Sequence, residues 1–153
     1  MNAIHLYRIG NWLYTRRIPI LPFVIRNLIF LLYNSYIPPS ARIGKGTVFA
    51  YGAIGVVIHA DAVIGEFCVI GQGVTIGASE GYVSPQRHAC PTIEDHCYIG
   101  AGSKLLGGIK IGARSQIGAG AVVIRDVPIG SIVVGVPGRV VGHTDPQYRA
   151  IQY

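Results

Sequence analysis

A six-residue beat of aliphatic side chains predicts a mainly β fold, a parallel β-helix in which short strands are wound into stacked coils. Three observations carry that reading. The aliphatic positions recur at Ile58, Ile64, Ile70 and Ile76, and again at Ile93, Ile99, Leu105, Ile111, Ile117, Val123 and Ile129. A small or β-branched residue stands four places after most of them, at Ala62, Cys68, Val74, Cys97, Ser103, Ala121 and Val127. Glycine follows the aliphatic directly at Gly65, Gly71, Gly77, Gly100, Gly112, Gly118 and Gly130. The aliphatic side chain is expected to point inward and the small residue to fill a corner. The glycine is expected to relieve a turn where φ is positive. A helix would need apolar residues at three- and four-residue spacing, which this region does not sustain.

The elements follow in order. Residues 1–36 are expected to form a short helical leader. Its apolar run Ile18–Tyr33 contains Pro22 and Arg26 and falls short of the ~20 residues that a membrane span requires. It also lacks the small-residue cleavage site of a signal peptide. The chain carries a net charge of +6, and all of the excess lies here: Arg8, Arg16, Arg17, Arg26, Arg42 and Lys45 precede the first acidic residue, Asp61. Two readings follow, a helical cap on the first coil or an interfacial contact with anionic lipid. Nucleic acid is not an expected partner, because no basic stripe with interleaved aromatics continues beyond Lys45.

Residues 37–142 are expected to form the β-helix domain. Ile37, Ile43 and Phe49 extend the beat at its start, giving about 14 hexapeptides, or four to five three-sided coils. Insertions interrupt it between Phe49 and Ile58 and between Ile76 and Ile93. Such insertions become loops on one face of a solenoid, where binding often occurs. Residues 143–153 form a tail. Cys68 and Cys97 fall on inward small positions, whereas Cys90 lies in the second insertion. Their odd number and spacing suggest no disulfide framework, as suits a reducing cytoplasm.

The segments Ile99-Gly-Ala-Gly102, Ile117-Gly-Ala-Gly120, Asp126-Val-Pro128 and Gly135-Val-Pro-Gly-Arg139 resemble those of the hexapeptide-repeat acetyltransferases. Gln72-Gly-Val-Thr-Ile-Gly77 and Pro91-Thr-Ile-Glu-Asp95 add to the match. The chain most resembles their serine acetyltransferase-like branch, which includes O-acetyltransferases of surface polysaccharides. The resemblance implies a left-handed β-helix, a homotrimer and acetyl-CoA as acyl donor, with no metal. It also implies a cofactor site along Gly100, Ala101, Gly102, Gly118 and Ala119, where a bare backbone admits an extended pantetheine arm. Lys104 and Arg139, with Arg114 and Arg125, are candidates to hold the phosphates of the nucleotide.

Transfer to an alcohol needs a base for the hydroxyl proton, and a neutral His suits that role. The family carries its catalytic His before a Gly-hydrophobic-Val-Ile segment. Here that place is Gly52, and the preceding acidic partner is Tyr51. His59, directly after Ile58, is therefore the first candidate base, and its competing reading is a surface histidine. Asp61 is either its orienting partner or ordinary surface charge. Arg87-His88 resembles a pair that contacts the amino-acid acceptor in the serine enzymes, and makes His88 the second catalytic candidate. Tyr51, Gln72, Tyr82 and Arg87 are expected to bind the acceptor. His96 reads as a turn residue, and His5 and His143 carry no signal.

The loss of an acidic partner at Tyr51 and the basic, apolar leader favour a sugar acceptor in surface polysaccharide or glycolipid synthesis. Serine, as in cysteine biosynthesis, is the alternative, since Arg87 suits its carboxylate. A cytoplasmic protein, peripheral at the inner face of the membrane, is the expected setting. Two other classes share the architecture. A γ-type carbonic anhydrase would need a metal on His59, His88 and His96, and a non-catalytic scaffold would explain Gly52.

Overall fold

The computed structural model describes residues 2–79 and 89–150. Two helices come first, α1 (Ala3–Thr15) and α2 (Leu21–Tyr33). Four coils of three short strands follow, forming a left-handed parallel β-helix. The first coil holds β1 (Arg42–Ile43), β2 (Val48–Phe49) and β3 (Val57–Ile58); the second β4 (Val63–Ile64), β5 (Val69–Ile70) and β6 (Thr75–Gly77). The third holds β7 (Thr92–Ile93), β8 (Tyr98–Ile99) and β9 (Lys104–Leu106); the fourth β10 (Lys110–Ile111), β11 (Gln116–Ile117) and β12 (Val122–Val123). Two further strands, β13 (Ser131–Val134) and β14 (Arg139–His143), pair antiparallel and finish the second face.

The beat is explained by register. Ile43, Ile64, Ile93 and Ile111 pair in a column on the first face. Phe49, Ile70, Ile99, Ile117 and Val133 do so on the second, and Ile58, Ile76, Leu105 and Val123 on the third. All of them are buried. Each such side chain contributes roughly 1.5–3 kcal/mol of transfer free energy. Ala62, Cys68, Val74, Cys97, Ser103 and Ala121 fill the corners and are buried as well.

Two expectations are corrected. Ile129 is not an inward residue; it is 57% exposed. The turn after Val123 is two residues shorter than the beat, so Val127 takes the place opposite Ile111, and Lys110 N donates to Asp126 Oδ1 instead of extending the ladder. Val133 then pairs with Ile117 in place of Gly135, where the beat would fall. Gly130 has the positive φ expected of the glycines after the aliphatics, at 65°, but Gly71 and Gly100 serve a different purpose. A Cβ on Gly71 would lie 2.6 Å from the backbone N of Ala101, and one on Gly100 would lie 2.6 Å from that of Ala119. They are glycine because the next coil leaves no room. Positive φ falls two residues later, at Gly73, Gly102 and Gly120.

Helix α1 closes the open edge of the first coil, which would otherwise present unpaired carbonyls. Asn2 Nδ2 donates to Phe49 O at 2.7 Å, Tyr7 Oη to Ala41 O at 2.6 Å, and Asn11 Nδ2 to Pro39 O at 2.7 Å. The Arg8 guanidinium donates to the carbonyls of Ile43 and Gly44. Ala3, Ile4, Tyr7, Gly10 and Leu13 form the buried face of α1. Helix α2 packs on α1. Among the described residues, no helix is long and apolar enough to cross a membrane.

Gly100→Ala tests the coil-spacing argument. The methyl must displace backbone, so a loss of about 1–3 kcal/mol is expected, read as a fall in melting temperature. Gly102→Ala, with open space at its Cβ, should lose less, because only its positive φ resists the change.

Candidate active site

The corner between the second and third faces is a column of bare backbone. Gly73 N donates to Ile54 O at 2.9 Å, Gly102 N to Gln72 O at 2.8 Å, and Gly120 N to Ala101 O at 2.8 Å. The loops Gly100-Ala-Gly102 and Gly118-Ala-Gly120 are thus stacked on successive coils. A Cβ on Gly102 or Gly120 would meet nothing within 4 Å. On the third and fourth coils the column is therefore an open surface that carries only the methyls of Ala101 and Ala119, shaped for an extended thin ligand. Arg139 begins β14 beside Val134 and is exposed, its Nη1 donating to Gly138 O at 3.3 Å. Its charge is available to an anion at that end. Lys104 lies across the third face instead: its Nζ donates to Gly73 O and to Thr75 Oγ1, both at 3.1 Å. That ammonium is tied to the neighbouring coil.

His59 stands at the opposite end of β3, where the third face turns into the first. Its backbone N donates to Ile76 O, and its ring is about one-third exposed. Three groups surround Nδ1. The Asp61 backbone N–H donates to it at 3.2 Å, the Asp61 carboxylate is 3.8 Å away, and Cys90 Sγ lies at 3.0 Å. An Nδ1 that accepts from a backbone N–H carries a lone pair, so the ring proton sits on Nε2. The Cys90 thiol is pushed up by burial and, secondarily, by the Asp61 carboxylate. It is therefore a protonated donor near neutral pH. The donor atoms of His59, Asp61 and Cys90 all lie within 4.8 Å of one another, a set that a divalent cation could also use.

The predicted residues fall into separate places. Tyr51 and Gln72 line a cleft of about 710 Å³ on the second face, together with Val69, Tyr98 and, from α1, Asn2 and His5. His59 is not among its lining residues. The insertion that carries Tyr51 is a short 3₁₀ turn, Ala50–Ala53, in which Tyr51, Gly52 and Ala53 all have positive φ. His88, Tyr82 and Arg87 lie outside the described residues. His96, with φ of 59°, stacks on Phe67 at 5.3 Å at a different corner from His59. The described residues thus bring His59 together with Asp61 and Cys90, not with His96. Cys90 as a neighbour of His59 was missed in the sequence. The two are 31 residues apart, and only the return of the second insertion to the first coil's corner joins them.

Comparison with known proteins fits this geometry. A family model described as bacterial transferase hexapeptide (six repeats) matches residues 90–125. A serine acetyltransferase of Synechococcus elongatus is 45% identical over 92% of this chain and 56% of its own length. That of Bacillus subtilis is 42% identical over 97% of this chain and 67% of its own. The crystal structure of a Brucella abortus serine acetyltransferase in complex with coenzyme A superposes with a TM-score of 0.86. It is 34% identical, and the match covers 94% of this chain and 56% of that one. The chain thus spans between half and two thirds of the length of these relatives. The expected sugar acceptor is overturned by these matches, because the relatives at this identity act on serine by name. The basic leader and Tyr51, which favoured a sugar, were outweighed by similarity along the whole coil region.

The reactivity of Cys90 tests the cluster. Iodoacetamide should alkylate it more slowly than free cysteine at pH 8, because its raised pKa leaves less thiolate. Asp61→Asn removes the carboxylate that helps to hold the proton and should speed the reaction. An unchanged rate in that variant would place Asp61 outside the cluster's electrostatics.

Proposed function

We propose that this chain, which belongs to the serine acetyltransferase-like branch of the hexapeptide-repeat acetyltransferases, is an acyltransferase that moves the acetyl group of acetyl-CoA to the hydroxyl of serine. The observation that carries this reading is the similarity to a serine acetyltransferase along 97% of the chain.

The proposed chemistry is direct transfer. The serine hydroxyl gives its proton to the His59 imidazole as its oxygen bonds to the thioester carbonyl carbon. The tetrahedral intermediate then collapses, the carbon–sulfur bond breaks, and the departing thiolate takes the proton back from the imidazolium. Backbone N–H groups are the natural donors to the oxyanion. The Asp61 carboxylate, 3.8 Å from Nδ1, favours the transient imidazolium. The base atom in this reading is Nδ1, so the acceptor hydroxyl arrives where the Cys90 thiol now lies. In this reading His59 takes the role that Gly52 cannot fill.

Acetyl-CoA is assigned to the glycine corner, its pantetheine arm along Gly100–Gly102 and Gly118–Ala119 and its phosphates toward Arg139. Within one chain that corner and His59 lie at opposite ends of β3, separated by about 13 Å of extended backbone. A homotrimer completes the reading, with the base of one copy facing the bare corner of the next. Sedimentation velocity tests that state directly.

Thiol release from acetyl-CoA in the presence of serine is the deciding assay. Serine-dependent release is expected; its absence with pure, folded protein would overturn the proposal. His59→Ala should lower turnover by ~100-fold or more while leaving coenzyme A binding intact. Near-normal turnover in that variant would remove His59 from the chemistry and transfer the role to His88.

A further inference from the structure

Among the described residues, the outward side of α2 exposes a dense run of large apolar side chains. Of its 13 residues only Pro22 and Ile29 are buried. Leu21, Val24, Leu28 and Leu31 form one stripe at three- and four-residue spacing, flanked by Phe23 and Phe30, and all six are between 41% and 78% exposed. A soluble monomer seldom leaves so continuous an apolar patch uncovered. Helix α1, by contrast, has its apolar face buried against the first coil.

The charge beside the stripe identifies its occupant. Arg16 and Arg17 are exposed in the turn that leads into α2, and Arg26 lies over the Phe23 and Tyr36 rings at 5.6 and 5.3 Å. No acidic residue precedes Asp61, and among the described residues none of these arginines forms an ion pair. A second copy docking by the same face would bring like charges together. A bilayer of anionic phospholipid offers both what the stripe needs and what the arginines need. At about 20 Å long, α2 cannot span such a bilayer, but it can lie along its surface.

We propose that the exposed face of α2, with Arg16, Arg17 and Arg26 at its border, docks the protein on an anionic phospholipid surface. The inference does not depend on the acceptor or on the catalytic role of His59.

Flotation of the full chain with vesicles tests it. At 0.15 M salt the protein should float with phosphatidylcholine–phosphatidylglycerol vesicles, roughly five-fold or more above pure phosphatidylcholine, and 0.5 M salt should weaken the binding. Leu28→Glu/Leu31→Glu and Arg16→Glu/Arg17→Glu should each abolish most of it. Both pairs are exposed, so melting temperature and serine-dependent thiol release should not change. Failure to float with either vesicle would overturn the proposal. So would a drop in oligomer mass on Leu28→Glu/Leu31→Glu, since a second copy would then be what covers the stripe.

Discussion

The spacing between coils is the constraint on which the rest of the molecule depends. Parallel strands must approach to ~4.8 Å for their backbones to pair, and directly after the inward aliphatics Ile70 and Ile99 the same spacing leaves no space for a side chain. Gly71 and Gly100 meet the backbone of the next coil at distances that no Cβ could share. With the coils this close, the aliphatic columns stack in register and exclude water. Neither condition works alone. A bulky residue at either glycine would push the coils apart and open the columns, and a polar column would leave closely spaced coils with nothing to bury.

The candidate site is a by-product of that same spacing. Where a coil turns through Gly-Ala-Gly, the corner carries almost no side chain, and repetition on the next coil extends the bare strip along the axis. A ligand that is long, thin and rich in amide groups is matched by such a strip. At the other end of β3, where the regular turn gives way to an insertion, side chains gather instead: an imidazole, a carboxylate and a thiol. Regular repeats thus leave a bare strip, and departures from the repeat gather the reactive side chains. The helical leader divides in a similar way. One helix satisfies the open edge of the first coil, and the other is left with an apolar face that stays exposed among the described residues.

The balance between His59, Asp61 and Cys90 follows from geometry rather than from residue type. The imidazole lone pair is aimed at a thiol and a backbone N–H, and the thiol keeps its proton because it is partly buried near a carboxylate. A group accepting from two donors at one nitrogen is held in one tautomer. That is a suitable resting state for a base that must wait for its acceptor, and an unsuitable one for a nucleophilic cysteine, which needs a lowered pKa.

Much of the fold was legible in residue order because a β-helix is built from local, repeated geometry. The period of six encodes which side chain turns inward, and Ile58, Ile76 and Leu105 could be assigned to the core by counting. The count failed at Ile129, because the turn after Val123 is two residues short of the beat, and it misjudged why glycine stands at Gly71 and Gly100. That reason lies in the neighbouring coil, at Ala101 and Ala119, 30 and 19 residues away in sequence, and no local turn preference reveals it. The glycine corner was legible because Ala101 and Ala119 share a phase of the repeat. The pairing of His59 with Cys90, and the cleft that joins Tyr51 and Gln72 to Asn2 and His5 of α1, were decided only by tertiary structure. Insertions and leaders have no period, so the path by which they return to the solenoid is set by packing rather than by sequence position.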